Sequence, residues 1–102
     1  MHILLICAGG WSTGLLVEDM KNYADEQDVI EAKGYDALDK IIDDFDVILV
    51  GPQISYKFNK IKELCLSKGK VTAKIDPATY GRINGKAVYE QAKQLYHANY
   101  HE

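Results

Sequence analysis

A chain of 102 residues with 47% hydrophobic and 26% charged side chains has the size and balance of one globular domain, able to build a core without metal or disulfide staples. Its net charge of −3 is carried with scattered lysines, which excludes the basic stripe and interleaved aromatics of a nucleic-acid-binding surface. No apolar stretch approaches the ~20 residues of a membrane span and no leader pattern precedes the first strand-like run, so the expected location is cytoplasmic.

Residues 2–6 (HILLI), apolar after the first position, predict a strand buried on both faces. A helix follows, with Leu16, Met20 and Tyr23 recurring at i, i+4 and i+7. Residues 28–33 mix charge with apolar positions and read as an edge strand. A short helix over 36–42 leads to Val47–Val50, a second strand of the fully buried kind. Phe58, Ile61 and Cys65 form the stripe of the next helix, residues 71–75 the other edge strand, and Val88, Ala92 and Leu95 the stripe of the last helix. Alternating strands and helices with right-handed crossovers place the first and third strands in the centre. The expected fold is α/β: an open four-stranded parallel sheet of order 2-1-3-4 with helices on both faces, one domain over 1–102.

The two cysteines are not a CxxC pair, and with His2, His97 and His101 they form no metal-ligand spacing, so no metal or cofactor is expected. Cys65 lies on a helical stripe and reads as a core residue. Cys7 stands differently. It opens the segment Cys7-Ala8-Gly9-Gly10-Trp11-Ser12-Thr13-Gly14, between the end of a central strand and the start of a helix. In an open α/β sheet, ligands bind at the carboxyl ends of the strands where the connections diverge, and that point falls between strands one and three. Gly9, Gly10 and Gly14 let several N–H groups face one concave nest. Ser12 and Thr13 add hydroxyls, one of them a candidate helix cap. The helix dipole alone is worth ~0.3–1 kcal/mol, whereas each hydrogen bond to a charged acceptor adds ~1.5–3 kcal/mol, so the nest supplies most of the anion binding. The segment is a candidate phosphate site with Cys7 as nucleophile.

Two kinds of phosphocysteine chemistry use such a loop. Low-molecular-weight tyrosine phosphatases have C-x5-R-[ST], but Thr13 stands where that arginine would be, and the sole arginine is Arg82. Without that clamp, rapid ester hydrolysis loses its main electrostatic stabiliser. A flavodoxin-type phosphate loop would leave Cys7 unexplained, and the GK[ST] of a Walker site is missing. The segment instead resembles the enzyme IIB component of the bacterial phosphotransferase system, lactose/cellobiose type, whose loop reads approximately C-[AS]-[AG]-G-M-S-T-S. Trp11 replaces the usual Met and Gly14 the usual Ser. Gly51-Pro52-Gln53 after the third strand is similar to the family's LLGPQ. Ile75-Asp76, Tyr80-Gly81 and Asn84-Gly85 are similar to its I-D-x-x-x-Y-G-x-x-N-G. The resemblance spans essentially the whole chain.

What the resemblance implies is a relay. A phosphohistidine on a IIA partner phosphorylates Cys7, and the phosphocysteine passes the group to a sugar bound by the membrane IIC component, a disaccharide such as cellobiose, chitobiose or lactose. Such a carrier needs a stable, exposed phospho form. Gln53 beside the switch point is a candidate to line the site; Asp76 and Tyr80 are candidates for support or docking, and Trp11 for docking. Asp76-Pro77 reads as a strand-ending turn, although it also matches a phosphatase general-acid loop. A phosphatase-like hydrolase and a non-catalytic regulatory module remain the alternatives.

Overall fold

The computed structural model describes residues 1–8 and 11–100, and of residues 11 and 12 the backbone alone. Four parallel strands, β1 (His2–Cys7), β2 (Val29–Gly34), β3 (Val47–Val50) and β4 (Val71–Lys74), lie in the order β2-β1-β3-β4. Among the described residues, five α-helices connect and follow them: α1 (Trp11–Lys21), α2 (Leu38–Ile41), α3 (Phe58–Ser67), α4 (Pro77–Gly81) and α5 (Gly85–Asn99). The expected sheet order is the observed one.

The strands' two-residue period explains why β1 and β3 are apolar at nearly every position. Ile3, Leu5, Val47 and Leu49 face one core, shared with Leu16 and Met20 of α1 and Val88, Tyr89 and Ala92 of α5. Leu4, Ile6, Ile48 and Val50 face the other, shared with Leu38 of α2 and Ile61 and Cys65 of α3. The strand residues Ile3–Ile6 and Val47–Val50 have no exposed surface at all. β2 alternates exposed and covered positions, and β4 is half-buried until its exposed last residue Lys74, as the mixed composition of edge strands requires.

Three details differ from the sequence pattern. Tyr23 falls beyond α1 and is 47% exposed. There the chain tightens into i→i+3 bonds, Asn22 N–H to Asp19 O and Tyr23 N–H to Met20 O, which rotate Tyr23 off the stripe. The segment read as one short helix is a 3₁₀ turn (Tyr35–Ala37), α2, and a second 3₁₀ turn (Ile42–Asp44). Asp76-Pro77 starts a helix rather than merely ending a strand. Asp76 caps α4 by accepting from Thr79 N (3.0 Å) and Thr79 Oγ1 (3.2 Å), and Pro77 occupies the first turn, where its missing N–H costs nothing.

Candidate functional site

β1 ends at Cys7, in register with Gly34 of β2, while β3 ends one residue before Gly51. The Cys7 side chain therefore emerges at the carboxyl edge of the sheet between two glycines. Its Sγ makes a long 3.9 Å contact to the Lys33 carbonyl, and the residue is only 5% exposed. The free thiol is thus nearly buried; the exposed form that the resemblance implies is that of the phosphorylated residue. Gly51 is a close-approach position. Its N–H donates to Ile6 O at 2.8 Å, and a Cβ there would lie 3.0 Å from Gln53 Oε1 and 3.7 Å from Cys7 Cβ. Gln53, itself exposed, and Cys7 meet across this bare glycine.

On the other side of the site, α1 begins at Trp11, so Ser12 and Thr13 lie in its first turn and neither is the residue that precedes the helix. Thr13 is 2% exposed, and its Oγ1 lies 2.5 Å from the hydroxyl oxygen of Tyr80, which is 8% exposed in α4. Two candidate residues from separate sequence segments are thereby joined. Asp76 is not brought to Cys7 by any contact seen here: its carboxylate is engaged in capping α4. Ala8 forms an exposed bend directly after Cys7, and Gly14 is exposed on α1. Gly9 and Gly10, and the side chains of Trp11 and Ser12, lie outside the described residues.

Several contacts after the third and fourth strands carried no signal in the sequence. Pro52–Lys57 forms a 3₁₀ segment after Gly51, placing the Lys57 ammonium 4.5 Å from the Tyr35 ring centroid and 5.7 Å from that of Tyr56. Lys74, the last residue of β4, lies over Phe58 at 5.3 Å. A cleft of about 430 Å³ opens between Pro52, Ser55, Lys74, Asp76 and Gln91. Nothing in the spacing of these lysines and rings along the chain announces the contacts. Among the described residues, no group of His, Cys, Asp and Glu is arranged to hold a metal ion, and no helix is long and apolar enough to cross a membrane.

The family model of the "PTS system, Lactose/Cellobiose specific IIB subunit" matches residues 2–91. The chain belongs to that family. As a IIB subunit it is a phosphotransferase component of sugar uptake. It is 38% identical, over 96 residues, to the oligo-beta-mannoside-specific EIIB component of Bacillus subtilis, covering 91% of this chain and 93% of the relative. It is 33% identical over 100 residues to the lactose-specific EIICB component of Staphylococcus epidermidis, covering 93% of this IIB subunit but 17% of that longer protein. Among solved structures, the cellobiose-specific IIB component from Borrelia burgdorferi superposes with a TM-score of 0.80 at 32% identity, covering 97% of this chain and 94% of that one. The lactose-specific IIB domain from Streptococcus pneumoniae shares the fold, with a TM-score of 0.76 at 19% identity over 94% of this chain and 97% of that one.

Proposed function

We propose that this IIB subunit is a single cytoplasmic domain over 1–102 that relays a phosphoryl group through Cys7. In the first step the Cys7 thiolate attacks a phosphohistidine of a IIA protein; the N–P bond breaks, an S–P bond forms, and the histidine nitrogen leaves with the electron pair. In the second step a hydroxyl of a disaccharide bound by the membrane IIC component attacks the phosphocysteine. An O–P bond forms as the S–P bond breaks, the sugar hydroxyl's proton passes to solvent, and the Cys7 thiolate leaves with the electron pair. Cellobiose, chitobiose and lactose are the candidate sugars, and the oligo-beta-mannoside name of the Bacillus relative extends that range.

The observation that carries this reading is the place of Cys7, at the end of the central strand, between Gly34 and Gly51, directly before the loop that opens α1. Gln53, packed on the same glycine, and residues 8–14 are the groups assigned to the phosphoryl oxygens. Support against hydrolysis comes from Thr13, a neutral residue bonded to Tyr80, and from Asp76, whose carboxylate is engaged at a helix cap. Intact-mass measurement after incubation with a phosphorylated IIA protein tests the relay. Wild type should gain one phosphoryl group and Cys7→Ser none, with unchanged circular dichroism. A Cys7→Ser protein that accepts phosphate at the wild-type rate removes Cys7 from the mechanism. Aryl phosphate turnover at ~1–1,000 s⁻¹, ordinary for an enzyme, would make the chain a hydrolase instead.

A further inference from the structure

The hydrogen bond between Thr13 and Tyr80 joins residues 67 apart in sequence. Both hydroxyls are buried, where an unpaired hydroxyl is costly, so the pairing is selective for this one relative placement of α1 and α4. α4 is only five residues long and does not position itself by length. Its start is held by the Asp76 cap and by Pro77, and the Tyr80 N–H donates to Asp76 O at 2.9 Å. Tyr80 also belongs to the core cluster that holds Leu16 and Val17 of α1 and Ile75, just past β4. The sequence Asp76 to Tyr80 therefore forms a brace, anchored on β4, whose polar tip reaches the first turn of α1. That turn belongs to the segment the relay reading assigns to the phosphoryl oxygens, and an anion site loses its advantage when its donors shift by about 0.5 Å.

We propose that Tyr80 is a positioning residue for the Cys7 phosphoryl site, acting through Thr13 to fix the first turn of α1. The inference rests on the relay reading above. It gives the Asp76–Tyr80 segment a holding role in place of the general-acid role its Asp-Pro dipeptide suggested. Removing the Tyr80 hydroxyl leaves the ring to pack as before, while the first turn loses its anchor.

The test compares wild type, Tyr80→Phe, Thr13→Val, the double variant and Thr13→Ser in rapid-quench phosphorylation by a phosphorylated IIA protein, alongside thermal melts. Tyr80→Phe should lower the maximal transfer rate about tenfold, the worth of one hydrogen bond to a charged acceptor, with the KM for the IIA protein unchanged. Thr13→Val should lose as much, and the double variant no more than either alone, because the two groups act as one unit. Thr13→Ser should recover most of the rate. A merely structural bond would lower the melting temperature and leave the maximal rate of the folded protein untouched. Equal maximal rates in wild type and Tyr80→Phe overturn the inference, as does a double variant whose loss is the product of the single losses. Should Tyr80→Phe not fold, the contrast between Thr13→Val and Thr13→Ser decides alone: equal rates in those two overturn it. A wild-type chain that takes no phosphate overturns the relay itself, and the inference with it.

Discussion

Gly51 and Thr72 illustrate how single atoms set the tolerance of this fold. A Cβ on Gly51 would sit 3.0 Å from Gln53 Oε1 and 3.3 Å from the Ile6 carbonyl oxygen, both tighter than ordinary contact. The glutamine can swing away, but the carbonyl belongs to the central strand. Gly51→Ala should therefore cost about 1–3 kcal/mol in urea denaturation and displace Gln53; an unchanged denaturation midpoint would show that the strand end yields freely. Thr72 presents the opposite case. Its Oγ1 is buried on β4 beside Cys65 and finds no partner of full hydrogen-bond geometry. Burial pushes the Cys65 thiol up, and the Thr72 hydroxyl opposes that shift only in part. Thr72→Val keeps the β-branched shape and removes the buried hydroxyl, so it should be neutral or stabilising by about 1 kcal/mol. A clear loss of stability in that variant would mean that the hydroxyl has a working partner.

At the scale of elements, the joint between α1 and α5 is the tightest. Gly85 opens α5, and its N–H donates to Asp19 Oδ2 at 2.7 Å. A Cβ there would lie 2.6 Å from the Asp19 carbonyl carbon and would also meet the Met20 backbone nitrogen. Backbone cannot swing aside as a side chain can, so Gly85→Ala should cost more than about 2 kcal/mol. Asn84→Ala, which loses only the cap to Ala87 N, should cost about 1 kcal/mol. Equal losses in chemical denaturation would refute this account of the joint. The same elements show what the sequence could tell. The buried strands were legible because neither face meets water, leaving no polar positions after His2 in β1 and none in β3 to blur the pattern. The place of Cys7 at the sheet edge and the nearness of Gln53 were legible through topology, since one ends a central strand and the other follows one. The bond between Thr13 and Tyr80 was not, because a lone hydroxyl pair across 67 residues leaves no periodic trace. α4 escaped notice although Asp76-Pro77 carries a helix-start signature, since five residues are too few for a hydrophobic stripe.

Across the whole molecule, the end of the sheet opposite Cys7 ties α5 to the start of β2. Tyr89 donates its hydroxyl to Asp28 Oδ2 at 2.5 Å, the Met1 nitrogen donates to Oδ1 at 2.9 Å, and Asp25 N–H to Oδ2 at 3.0 Å. Burial pushes the Asp28 carboxyl up, but these three donors outweigh it and leave it below its ordinary 3.8. Burial first, then the bond to Asp28, pushes the Tyr89 phenol up to about 12 from 10.0. The two signs give opposite limits. The depressed carboxyl contributes stability above its ordinary value, lost as pH falls through the folded one. The raised phenol contributes stability that is full below pH 10.0 and lost as pH rises through about 12. Tyr89→Phe should therefore be less stable than wild type at neutral pH and lose less than wild type toward both extremes. Urea midpoints across the pH range check this, and parallel curves for the two proteins would contradict it.

The double-sided cover of β1 and β3 has a further consequence, in the order in which the molecule opens. Amides joining these two strands should exchange with deuterium only when the entire fold is lost, whereas those along the outer edges of β2 and β4, and in Pro52–Lys57, exchange through local excursions. Cys7 hangs from the end of a fully protected strand, with the edge strand β2 on one side and, past the end of β3, Pro52–Lys57 on the other. In the relay proposed above, such local excursions would let a phosphorylated donor approach while the Cys7 backbone stays anchored.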